Sequence, residues 1–375
     1  MRSVCLCLHT TLSRKNTLQI IIFTSLMRIL VIKKNNYKNS YTTGIHTLIE
    51  ALGRKYNYQL LFTDNLDKGA VTGNAVIFFT APYTSLINKL LEQQRLKSFI
   101  IKNKIDLLIQ NTSFITKQTV IPQLLITDDI DSLPPSQKIN NSKTSLLTYS
   151  QSAKQTLTEK GFTTPIHVIP FFAESIYQPI TWSMKQQVKI DYAEGSEYFV
   201  TPKHFKRIDD ILLLMKAFSG FKKWQQSSMK LVFIGKIYVP PSDWKEKLST
   251  YKYREDILVC TELPDFERLR LLAGAYASIH MPEKDSDLLP LLESIYCQTP
   301  LITTETASAK EYVADAGLTA AYNQEDITRQ MILMYKDEHL RSKMVDNCAL
   351  QANEFSKENA LQTLQATVPE PQNGL

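Results

Sequence analysis

From Arg28 almost to its end, the chain alternates short apolar runs with longer stretches whose apolar residues recur at helical spacing. In the first half the strand-like runs are ILVIK, YQLLFT, AVIFFTA, IDLLIQ, QLLITD, SLLTYS and IHVIPFF, with helix-like GIHTLIEALGRKY and TSLINKLLEQQRLKSFIIKN between them. The second half repeats the scheme with EYFVT, KLVFIG, DILVC, YASIHM and PLITT, and closes on two helices from Glu325 to about Glu358. Few folds accept such a pattern: the strands are expected to form parallel sheets covered by helices. At 375 residues, 43% hydrophobic and 21% charged, the chain is long and apolar enough for two such domains.

The break falls at FFAESIYQPITWSMKQQVKIDYAEGSEY, where periodicity lapses and Pro179 and Gly195 interrupt the chain. We therefore expect a first Rossmann-like domain over 27–180, a linker over 181–196, a second Rossmann-like domain over 197–358 and a frayed tail over 359–375. The run TLQIIIFTSLMRILVI is short for a membrane span and is broken by Arg28, while Met27 opens MRILVIK as a complete strand. Residues 1–26 are expected to be an extension outside the fold, with an amphipathic or targeting segment as the alternative. Two facing domains of this type hold their ligand in the cleft, outside the carboxyl ends of the strands.

Charge is uneven: the net +6 divides into +7 over 27–180 and −4 over 181–375, with the remainder at the start. A basic first half suits an anionic partner such as a membrane surface, and equally a solvated lysine-rich face. No arginine-rich cluster or aromatic-interleaved basic strip supports nucleic acid. The five cysteines are an odd number and lack metal-ligand spacing, which suggests a reducing compartment and no structural metal.

The densest stretch is YASIHMPEKDSDLLPLLESIYCQTPLITTE. A strand ends in a polar loop, a helix opens near Leu288 to Pro290, and Glu293 sits one turn in. Proline suits a first helical turn because it has no amide to leave unpaired, and the free amides there attract phosphate. The segment resembles the signature of the retaining glycosyltransferases of family 4 (glycosyl transferases group 1), whose GT-B fold is α/β, with two Rossmann-like domains facing across a cleft. Leu289, Pro290, Glu293, Cys297, Thr299 and Pro300 match that signature, and Asp285 falls where its first glutamate belongs. By this resemblance Glu293 holds the nucleotide ribose, Asp285 contacts the transferred sugar, and the backbone around Asp287, Leu288 and Leu289 holds the diphosphate. Ser286, Leu288 and Gln298 replace family glycines.

A second match is YFVTPKHFKRIDDILLLMKAF, similar to the family's strand, polar loop and lysine-led helix. Lys206 aligns with the lysine that neutralises the departing diphosphate. The family arginine is Thr201 here, so Lys203 or Arg207 is expected to supply the missing charge. Weaker resemblances put backbone from Thr261 to Leu263 beside the base, and Gly44 and Asp128 on the acceptor side; Ser150 or Ser152 reads as a helix N-cap. His46, His204 and His280 are read as packing or solvent-facing residues.

The resemblance implies a cytoplasmic enzyme, at large or at the inner face of the membrane. It would transfer a hexose, with retention, from a nucleoside diphosphate sugar to a hydroxyl of a glycan or lipid-linked acceptor. Neither cofactor nor metal is expected. The rival readings are a catalytically impaired nucleotide-sugar-binding or scaffold protein, and an epimerase or phosphorylase on the same plan.

Overall fold

The computed structural model describes residues 28–32, 44–45, 47–52, 59–63, 94, 97–98, 100–102, 104–111, 121–127, 129–131, 133–282 and 287–368. The expected strand AVIFFTA, and with it Asp128 and Asp285, lies outside the described residues.

The first sheet contains β1 (Arg28–Ile32), β2 (Gln59–Thr63), β3 (Leu107–Asn111), β4 (Gln123–Ile126), β5 (Thr144–Thr148) and β6 (Ile166–Val168), all parallel, in the order β2-β1-β3-β4-β5-β6. Helical residues 44–45 and 47–52 (α1) and 94, 97–98 and 100–102 (α2) accompany it. Helix α3 (Gln151–Glu159) follows β5, capped by Ser150, whose hydroxyl accepts the Ala153 N–H at 3.0 Å.

Residues 181–196, expected as an irregular linker, instead hold helix α4 (Trp182–Ala193), capped by Thr181 and ended by Glu194 in the left-handed region. Its face is inverted relative to a simple apolar pattern: Lys189 is buried while Trp182 and Ile190 are exposed. That inversion hides its helical period in the sequence.

The second sheet contains β7 (Tyr198–Thr201), β8 (Lys230–Phe233), β9 (Ile257–Val259), β10 (Ala277–His280), β11 (Leu301–Thr304) and β12 (Gly317–Ala320), again all parallel. Its order is β12-β11-β10-β7-β8-β9, the doubly wound arrangement in which the strand order reverses beside the first strand of the domain. Helices α5 (Ile208–Trp224), α6 (Pro241–Ser249), α7 (Asp265–Ala273), α8 (Leu289–Tyr296) and α9 (Ala307–Val313) connect the strands, followed by α10 (Gln324–Lys336) and α11 (Glu338–Glu354). Strand β12 and helix α9 were not anticipated, being only four and seven residues long.

The first part of the expected tail is helical, while 369–375 lie outside the described residues. Ser356 caps α12 (Lys357–Thr367), which buries Ala360 and Leu364. Val368 beyond it is also buried, in an apolar cluster that runs from β1 of the first domain through α8 to this helix.

One seam joins the domains. Tyr312 on α9 donates its hydroxyl proton to the Tyr149 carbonyl and accepts the Phe171 N–H at 2.8 Å, while its ring stacks on Phe355 with centroids 4.4 Å apart. Beside it the Ser308 hydroxyl lies 3.0 and 2.8 Å from those of Ser150 and Ser152. The Glu311 carboxylate accepts the N–H groups of Gln151 at 2.9 Å and Ser152 at 3.2 Å, capping α3 from the other domain. No helix among the described residues is long and apolar enough to cross a membrane.

Candidate active site

The strand order of the second sheet reverses between β7 and β10. In open α/β sheets the crevice at such a point is where ligands bind, because the connections leave to opposite faces and open a gap. The loops leaving these two strands are the two that the sequence singles out.

The loop after β7 is fixed by backbone pairing. Phe205 donates its N–H to the Lys236 carbonyl at 2.8 Å, Tyr238 donates to the Phe205 carbonyl at 2.8 Å, and Phe205 and Ile237 form a parallel bridge beyond the sheet. The two chains approach so closely that a Cβ at Gly235 would lie 1.7 Å from the Lys203 carbonyl oxygen, so only glycine fits there. Phe205 is fully buried and packs edge-on against Phe233. Side chains alternate along an extended segment, so burying Phe205 leaves His204 and Lys206 together on the opposite side, and both are exposed.

His204, read from sequence as packing or solvent-facing, is exposed on the loop that leaves β7. Its Nδ1 accepts the Lys236 N–H at 2.9 Å. Burial lowers its pKa first of all; Arg268, Lys236 and Lys206 lower it further, and Asp287 opposes them. Charged groups from α7, the β8 exit, the β7 exit and the approach to α8 therefore all bear on the charge of one ring.

Lys203 was expected to supply the charge missing at Thr201, and the structure corrects this. It is buried, donating to Asp210 at 3.1 Å and to the Met281 carbonyl at 3.2 Å, so its ammonium ties the β7 exit to the β10 exit. Arg207 is exposed, 3.8 Å from Asp209. Thr201 is itself fully buried at the end of β7.

Helix α8 opens with Leu288 at the N-cap, whose side chain makes no capping bond, and proline in the first turn. Leu288 is fully buried in the apolar cluster, so its side chain does not occupy the crevice. His280 lies with Nε2 2.8 Å from the Asp287 carbonyl; a carbonyl only accepts, so Nε2 carries the proton, and buried Nδ1 has no hydrogen-bond partner among the described residues. This bond seats the helix start, and burial lowers the His280 pKa. Leu289 is partly buried against the same apolar cluster.

Glu293 was expected to be open to a ribose. Its side chain is 7% exposed and takes a hydrogen bond from Arg268 Nη2 at 2.7 Å; the same nitrogen donates to the Tyr177 hydroxyl at 2.8 Å. Burial raises the carboxyl pKa, against the pull of Arg268 and Tyr177. Sequence reasoning missed Arg268 and Tyr177. The available signal for Arg268 was an arginine near the start of the helix that follows the expected base loop; Tyr177 lay in a stretch without period.

At the far end of α8 the Thr299 N–H bonds the Ser294 carbonyl at 3.0 Å and the Gln298 N–H bonds that of Ile295 at 3.0 Å, with Gln298 at φ 54°. This is a Schellman ending, and its left-handed position favours glycine. Gln298 replaces a glycine at the stop of the helix, a helix length away from the phosphate end. Thr261 and Leu263 lie between β9 and α7, partly buried, with Leu263 packed against the core. Gly44 sits in α1 with the Phe172 ring 3.5 Å from where a Cβ would stand.

The fold is a GT-B fold, two Rossmann-like domains. Residues 184–350, most of the second domain, match the family model "Glycosyl transferases group 1". Over 106 residues the chain is 31% identical to the O-antigen chain mannosyltransferase B of Escherichia coli, a match that spans 28% of this chain and 28% of that relative's length. The crystal structure of a glycosyltransferase from Rickettsia africae superposes with a TM-score of 0.74 at 15% identity, covering 91% of this chain and 97% of that one. Anabaena HepE in complex with UDP-glucose superposes with a TM-score of 0.66 at 13% identity, covering 91% and 99%.

Proposed function

We propose that the chain transfers a hexose from a nucleoside diphosphate sugar to a hydroxyl of a glycan or lipid-linked acceptor, with retention of configuration. The observation that carries this reading is that His204 and Lys206 stand exposed on the β7 exit, with the β8 exit bonded to His204 through the Lys236 N–H, at the switch point of the second sheet. A diphosphate there would meet Lys206, Lys236 and Arg268 together with the first-turn amides of α8. As the sugar–phosphate bond breaks, negative charge grows on the leaving diphosphate, and cations already in place stabilise it without reorganising. The departing phosphate oxygen can take the acceptor's proton on the same face. That the solved structure of Anabaena HepE holds UDP-glucose supports a donor of this class.

Glu293 bears on the donor through Arg268 and Tyr177 in this reading. Its ribose contact needs the Arg268 bond to be shared or released. Asp285 would contact the transferred sugar; Thr261 and Leu263 would line the base, while Asp128 and Gly44 would face the acceptor.

The test is a thermal-shift screen with UDP, GDP, ADP and dTDP, then turnover of the matching hexose donors. One diphosphate is expected to stabilise the protein. Lys206→Ala is expected to slow transfer about a hundredfold at unchanged stability, and Glu293→Ala to weaken donor binding. Stabilisation by none of the four, or transfer surviving both substitutions, defeats the assignment. The closed Arg268–Glu293–Tyr177 group favours a second reading, a nucleotide-sugar-binding protein without turnover. Binding of a nucleotide sugar with neither hydrolysis nor transfer would select it.

A further inference from the structure

We propose that His204 is a donor-binding residue whose Nε2–H is a fixed, uncharged hydrogen-bond donor to a phosphate oxygen of the nucleotide. The inference rests on the donor-site reading above and adds to it a group read from the sequence as packing or solvent-facing.

Three observations carry it. The first is the tautomer. The Lys236 backbone N–H donates to Nδ1 at 2.9 Å, so Nδ1 is the acceptor and the ring proton is on Nε2. Adding a second proton would put N–H against N–H and break that bond. The ring is thus held neutral with one donor, and Nε2 makes no hydrogen bond of its own among the described residues.

The second is orientation. Phe205 is locked in the core by its burial and by the bridge to Ile237, so the residues flanking it share one side. His204 is held further by the Tyr238 ring, edge-on with centroids 6.2 Å apart. It has one backbone anchor, one aromatic neighbour and one free N–H, and it stands beside Lys206.

The third is the surrounding charge. Lys236 from the β8 exit and Lys206 from its own loop are exposed cations flanking His204 in the chain and through the Nδ1 bond, and Arg268 from α7, itself paired with Glu293, adds to their effect on the ring while Asp287 opposes it. An anion is drawn to such a place, and the Nε2–H supplies direction where the cations supply attraction. Phosphate oxygens, with several lone pairs in one small group, accept from a cation and from an imidazole N–H together.

The test uses the full chain, with the nucleoside diphosphate that stabilises it best and the matching nucleoside. His204→Ala is expected to lower affinity for the diphosphate about tenfold, the worth of one hydrogen bond to a charged group, and to leave affinity for the nucleoside unchanged. His204→Gln, which keeps an N–H at similar reach, is expected to recover most of the loss. Wild-type diphosphate affinity in His204→Ala overturns the role. Equal losses for nucleoside and diphosphate overturn it too, since they report a collapsed loop. Failure of the wild type to bind any of the four diphosphates instead sinks the donor-site reading on which this one stands.

Discussion

The seam between the domains and the crevice at the second sheet's switch point use the same kinds of residue to opposite ends. At the seam, Tyr312, Ser308 and Glu311 meet the chain around Tyr149, Ser150 and Phe171, donors opposite acceptors. In the crevice, Lys206 and Lys236 are exposed and form no ion pair among the described residues, and the His204 Nε2–H is unused. Polar groups left unmatched beside a well-packed scaffold are what a ligand site requires, because the ligand completes them. The seam pairs its polar groups within the chain, whereas the loops leaving β7 and β8 keep exposed cations without an ion pair among the described residues.

The comparison can be broken first at Arg268. Arg268→Ala leaves Glu293 buried without its cation and is expected to cost about 3 kcal/mol of stability, along with donor affinity. If chemical denaturation shows no loss, the Arg268–Glu293 pair does not tie α7 to α8 as the structure has it. Next is the seam: Tyr312→Phe strips one buried N–H and one buried carbonyl of their partner, for about 1–3 kcal/mol, with nucleotide affinity unchanged. A drop in nucleotide affinity as large as the drop in stability would show that seam and crevice are not separable.

The histidines sharpen the contrast through pH. His280 has its pKa lowered by burial, with Asp287 raising it and Lys203 lowering it. Below the ordinary histidine value of 6.5 the unfolded chain takes up a proton that the folded chain does not, so stability falls as the medium is acidified, by up to about 1.4 kcal/mol per pH unit for such a group. Denaturation midpoints at pH 7.5 and 5.5 should therefore lie closer together in His280→Gln than in the wild type; an unchanged gap refutes this. The smallest effect is expected at the stop of α8. Gln298→Gly should raise stability by about 0.5–1 kcal/mol by relieving the left-handed strain, with some of the gain lost to the freer unfolded chain. Donor affinity should not change, since that end of the helix is remote from the crevice.

What was legible and what was not follows the range of each signal. The runs ILVIK, QLLITD, EYFVT and PLITT became strands because an apolar run of that length has little choice beyond a buried strand. Ser150 was readable as a cap because capping is local to one turn. Helix α4 escaped because it buries Lys189 and exposes Trp182, and α12 escaped because Ala360 and Leu364 are a thin apolar stripe in a polar segment. Lys203 was misread for a different reason. A lysine in a basic loop looks free until Asp210 and the Met281 carbonyl are brought to it.

By itself the sequence determined the alternation of strand and helix, and therefore parallel sheets, their crevice and the identity of the residues on its loops. Only the tertiary structure decided which cations remain unpaired, that Arg268 and Tyr177 close on Glu293, and that His204 keeps one free N–H. Secondary structure follows from periods of two to four residues along the chain. Charge pairing depends on distances between α7, α8, the β8 exit and the segment before α4, which are set only when the domains pack.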